Sequence, residues 1–106
     1  MRLIKKLSEE IKDEMQDVKK YVHLALQYKQ SDEDAYNVYM QLAGEEYDHA
    51  TRLHNLAVQE INKQKKKLAE RGEQIPAIML ELWQDEHTQY VNDMAILKHE
   101  IDIAKR

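Results

Sequence analysis

The chain has 106 residues, 34% of them charged and 42% hydrophobic, with a formal net charge of −4, two glycines, one proline and no cysteine. So few turn formers exclude an all-β sandwich, which needs turn chemistry about every 8–12 residues, and they exclude nucleotide folds built on glycine clusters. The lack of cysteine excludes disulfides, thiol catalysis, zinc ribbons and thiolate iron–sulfur clusters. The length fits a single domain over residues 1–106. A cysteine-free chain rich in Lys, Glu and Gln suits the cytoplasm. MRLIKKLSEE is broken by Lys5 and Lys6, so it reads as no signal peptide. No stretch approaches the roughly 18 apolar residues of a membrane span. The acidic balance weighs against nucleic acid as a partner. The one basic run, Lys63 to Lys67, reads as a solvated helix face.

Strong helix formers dominate, and the chain divides into three predicted helices. The first runs from about Leu3 to Gln30. SDED at 31–34 then supplies an N-cap, Ser31 or Asp32, with acids in the first turn. The second helix spans about Glu33 to Glu70. RGEQIP at 71–76 breaks it: Gly72 stands where a C′ residue belongs and Pro76 where the first helical residue of the third helix belongs. That helix continues close to the C-terminus. Short connections make neighbours antiparallel, so an up-down-up, all-α protomer follows. The second helix, about 55 Å long at its rise per residue, is longer than the first can cover. A homo-oligomer is therefore expected to complete the bundle.

Each helix carries an apolar row with a polar interruption. In the first the row is Ile4, Leu7, Ile11, Glu14, Val18, Tyr21, Ala25 and Tyr28, interrupted by Glu14. In the second it is Ala35, Tyr39, Leu42, Glu46, His49, Leu53 and Leu56. Glu46 and His49 interrupt it together, three residues apart on one face. In the third it is Met79, Trp83, Glu86, Tyr90, Met94, Leu97 and Ile101, interrupted by Glu86. A buried carboxylate without a partner costs several kcal/mol or takes up a proton. Neither Arg nor Lys occurs in these rows, so a bound metal is the simplest compensation. Level agrees with face. Facing residue numbers on the first two helices total about 63, which sets Glu14 level with Glu46 and His49. For the second and third helices the total is about 146, which sets Glu86 level with Glu60 and outside the group. His99 and Glu100 lie at the right level on the third helix. Glu45, rotated about 100° from the row, is expected to face solvent. Tyr21 is either core or a hydrogen-bond donor to the ligands, and Trp83 a packing or interface anchor. His23, His54, His87 and His99 read as surface or satisfied residues rather than ligands.

Glu on one helix followed by Glu-x-x-His on the next resembles the half-site of ferritin-like di-iron carboxylate proteins. EMQDVKKYVHLA at 14–25 resembles the first ligand helix of rubrerythrins in its Glu14, Tyr21 and Ala25. LAGEEYDHATRLH at 42–54 resembles their second, in its Glu46 and His49. The likeness covers roughly residues 7–62. It extends to the helical hairpins of encapsulated ferritins and to small phage and bacterial ferritin-like proteins. It implies a ferritin-like bundle with Glu14, Glu46 and His49 as metal ligands, an iron centre (di-iron, with Mn the other fit) and Fe(II) oxidation by O₂ or peroxide. No second Glu-x-x-His follows, so the resemblance implies a symmetry mate, hence a dimer or a multiple of it. Two such half-sites offer four carboxylates and two imidazoles, enough charge for two Fe(II), and these ligand types suit Fe or Mn. A cage or compartment partner is left open. The other reading of the same polar residues is a layer that fixes register in a non-catalytic helical assembly or adaptor.

Overall fold

The computed structural model describes residues 2–106, and every described element is helical: α1 (Arg2–Tyr28), α2 (Glu33–Glu70) and α3 (Ala77–Ala104). Among the described residues no helix is long and apolar enough to cross a membrane. α2 starts where the sequence places it. Asp32 is the N-cap, its carboxylate accepting from Ala35 N at 3.0 Å, with Glu33 and Asp34 in the first turn. Such a cap satisfies a free amide, and the acids match the positive end of the helix. At the other end Gly72 takes a positive φ of 71°. Gly72 N donates to Ala69 O at 3.0 Å and Glu73 N to Leu68 O at 2.7 Å. This pair of bonds is a Schellman motif, and the left-handed residue between them favours glycine. Pro76 precedes α3 instead of opening it. Its extended backbone (φ −52°, ψ 135°) makes it the N-cap, and its carbonyl accepts from Met79 N and Leu80 N. α1 stops at Tyr28, short of Gln30, because Ser31 N and Asp32 N both turn back to the Tyr28 carbonyl.

α2 is the spine of a rod measuring 62 × 17 × 17 Å. The radius of gyration is 17.3 Å, against about 13 Å for a compact domain of this length. The accessible surface of 7528 Å² exceeds the roughly 6,200 Å² expected of a compact monomer of this mass.

α1 lies along α2 through a seam of small residues. Ala43, Ala50 and Ala57, seven apart, are fully buried, as is most of Ile61. α1 sets Ile4, Leu7, Ile11, Met15, Val18, Val22 and Ala25 against them. Helix separation follows side-chain size at the contact, so the alanines draw the two helices close. The large residues expected to form the α2 row lie one position round from this seam. Tyr39, Leu42 and Leu53 are half-buried and Leu56 is exposed. In α1, Met15 and Val22 complete the buried row where Glu14 and Tyr21 were expected, and Tyr28 is exposed. α3 is docked unevenly. Met94, Leu97, Ile101 and Ala104 are buried in a core shared with α1 and α2, and the Tyr36 hydroxyl donates to the Ala104 carbonyl at 2.6 Å. From Ala77 to Asp93, no α3 residue is buried.

Candidate metal centre

Glu14 comes from the middle of α1. Glu46 and His49 come from α2, one helical turn apart. They stand on the shoulder of the α1–α2 contact, because the alanine seam, one residue round, takes the centre of it. His49 Nδ1 is 3.7 Å from Glu14 Oε2 and 3.7 Å from Glu46 Oε1. One ligand atom from each residue lies within 4.8 Å of the other two. The side chains of Glu14 and Glu46 retain 26% and 19% of their exposure, and that of His49 retains 50%. The acids are therefore partly sunk between the helices, with the imidazole on the rim. The groove beside them is lined by Glu10, Arg52 and Leu53.

Two features suit this group to a cation. Glu14 Oε2 is buried with no hydrogen-bond partner, and an orphaned buried acceptor is costly unless something positive meets it. Neither 3.7 Å approach is a hydrogen bond, so the imidazole does not satisfy the carboxylates. Ligands about 2.0–2.2 Å from one metal lie at most about 4.4 Å apart. The two 3.7 Å separations fall inside that limit, and the widest pair needs only a small closure. Two carboxylates with one imidazole are donors of the kind that divalent transition metals take. No other described group of His, Asp or Glu side chains has this arrangement.

The remaining sequence candidates lie elsewhere. Glu86 is exposed, at the groove where α3 meets Ser8, Ile11, Lys12 and Met15 of α1. It does not interrupt a buried row, because α3 has no buried row before Met94. His99 is exposed and Glu100 half-buried, and neither joins the group. Glu45 faces solvent, as expected, and accepts from Gln41 Nε2 at 3.3 Å. Among the described residues the Tyr21 hydroxyl makes no bond to the carboxylates. Its ring stacks on Tyr39 at 6.2 Å, and Tyr39 stacks on Tyr28 at 6.0 Å.

One cluster escaped the sequence reading. His54, taken as a surface or satisfied residue, is the buried polar residue of α2. Its ring stacks on three α3 side chains: Tyr90 at 3.8 Å, His87 at 4.9 Å and Trp83 at 6.4 Å. The spacing of Trp83, His87 and Tyr90 by four and three residues, one helix face, was the available signal. No family model, curated protein or solved structure matched the chain.

Proposed function

We propose that Glu14, Glu46 and His49 bind a divalent transition metal, iron first and manganese second. A second copy of the chain brings an equivalent half-site to it, so that a dimer or a multiple of dimers carries a ferritin-like, carboxylate-bridged di-metal centre. The observation that carries this reading is the buried, unpartnered Oε2 of Glu14, turned toward an imidazole nitrogen that it does not hydrogen-bond. The three groups supply a net charge suited to a cation on an open face, and a single protomer leaves coordination positions free. The elongated shape and the surface in excess of a compact monomer support the second copy. When bound, iron at such a centre supplies Fe(II) oxidation by O₂ or peroxide. The chain's part is to hold the ion between α1 and α2 and, with Glu14 and Glu46, to neutralise its charge. A cytoplasmic setting accords with a chain that holds iron and has no cysteine.

The rival is a helical assembly or adaptor protein in which these residues form a polar layer and no metal binds. A satisfied layer would show hydrogen bonds among them, and the 3.7 Å separations give none. The deciding measurement is metal content per chain after anaerobic Fe(II) loading and desalting, with sedimentation on the same sample. The proposal expects stoichiometric iron in a dimer or higher species, and little in Glu46→Ala. An iron-free wild type would leave the assembly reading.

A further inference from the structure

The two halves of α3 are held by different means. Its C-terminal half buries Met94, Leu97, Ile101 and Ala104. Its N-terminal half touches the rest of the rod through half-buried side chains, chiefly the rings of Trp83, His87 and Tyr90 against buried His54. His54 lies nearly parallel to Tyr90, at 10°, and to His87, at 22°. Stacking of this kind suits neutral imidazoles and opposes two imidazolium ions 4.9 Å apart. The Nδ1 of His87 is buried without a partner.

We propose that the segment of α3 from Ala77 to Tyr90 is a pH-released lid. The neutral His54–His87 stack latches it onto α2. Protonation at His54 lifts it from the α2 face that carries His54, while Met94, Leu97, Ile101 and Ala104 stay docked. The charged group that acts on His54 is His87 itself. From α2, Tyr47 and Thr51 act on Tyr90. The acids of α3 nearest in sequence, Asp85, Glu86 and Asp93, line the groove against α1 with Lys12. Burial, and then His87, push the His54 imidazole below its usual 6.5. A histidine lowered on folding contributes stability that is full above the unfolded value, and that stability is lost as the pH falls toward the folded one. The latch is therefore closed above about pH 6.5 and opens below it. Burial also raises the Tyr90 hydroxyl above its ordinary value of 10.0, so it stays protonated throughout.

The test is residue-resolved hydrogen exchange on the full chain with a chelator present, from about pH 8 to about pH 5, corrected for the intrinsic pH dependence of exchange. Fluorescence of Trp83, the one tryptophan, is read in parallel. Each proton taken up on opening raises the opening equilibrium by up to about tenfold per pH unit. Amides of 77–90 are therefore expected to lose up to about tenfold in protection per unit below pH 6.5 as His54 titrates, with Trp83 emission shifting to the red. Amides of α1 and of 94–104 keep theirs. His87→Gln, at a half-buried position, removes the second imidazole beside His54 and should weaken the pH dependence, and His54→Phe with His87→Phe should hold the lid closed at pH 5. Unchanged protection in the wild type overturns the proposal. So does an unaltered acid transition in His87→Gln, the variant that decides if the double variant does not fold.

Discussion

Two histidines five residues apart on α2 sit in opposite surroundings. His49 stands on a rim beside two carboxylates, half its side chain in water. His54 is buried against two aromatic rings and a second imidazole. The first imidazole faces two carboxylates and the second faces aromatic rings, although the helix and the residue type are the same. What differs is the neighbour: α1 brings Glu14 to one side of the spine, and α3 brings Trp83, His87 and Tyr90 to the other. A histidine's chemistry is thus assigned by the helix that packs on it.

The contrast can be broken at its root by loosening one side. Leu97 is fully buried where α3 joins the shared core. Leu97→Ala should lower stability by about 2–5 kcal/mol, read from urea unfolding, and should free α3 while leaving Glu14, Glu46 and His49 on the α1–α2 hairpin. Metal binding that disappears with Leu97→Ala would mean the two regions are one unit.

Metal should act on one side only. A ligand that binds the folded chain alone stabilises it by about 2.7 kcal/mol at 100 times its dissociation constant. Anaerobic Fe(II), or Mn(II), is therefore expected to raise the melting temperature of the wild type and of His54→Phe, but not of Glu14→Ala or His49→Ala. A rise that survives in Glu14→Ala would remove α1 from the site.

Smaller effects sharpen the picture. Asp32→Ala loses the α2 cap and should cost about 1 kcal/mol, with the metal response intact, since the cap lies far from either histidine. The smallest change expected is in metal-free Glu46→Gln. Glu46 has no hydrogen bond to lose within the group, so chemical unfolding at neutral pH should find it within about 0.5 kcal/mol of the wild type. A loss of about 1–3 kcal/mol would identify a structural polar layer instead.

The contrast also separates what was legible in the sequence from what was not. The α2 boundaries were legible because capping is local chemistry: SDED and RGEQIP carry their own hydrogen-bonding instructions. The meeting of Glu14, Glu46 and His49 was legible because a short turn sets the level of two antiparallel helices and periodicity sets their faces. The alanine seam was hidden, since a hydrophobic row is drawn by large side chains whereas close helix contact selects small ones. The row was accordingly read one residue out of place. Glu86 was misread because a periodic pattern does not say over what length its helix is docked. The His54 stack depended on the rotation of α3 about its own axis, which no residue near His54 encodes.

The seam has a last consequence. Ala43 and Ala50 bracket Glu46 and His49 along α2, and with Ala57 they set its distance from α1. Three methyl groups therefore gauge the bite between Glu14 and its two companions. If the group holds an ion as proposed, the size it accepts is set by residues with no donor atom. Ala50→Ser or Ala50→Val is expected to change the proposed site's ionic preference from the neighbouring seam, leaving every candidate ligand in place.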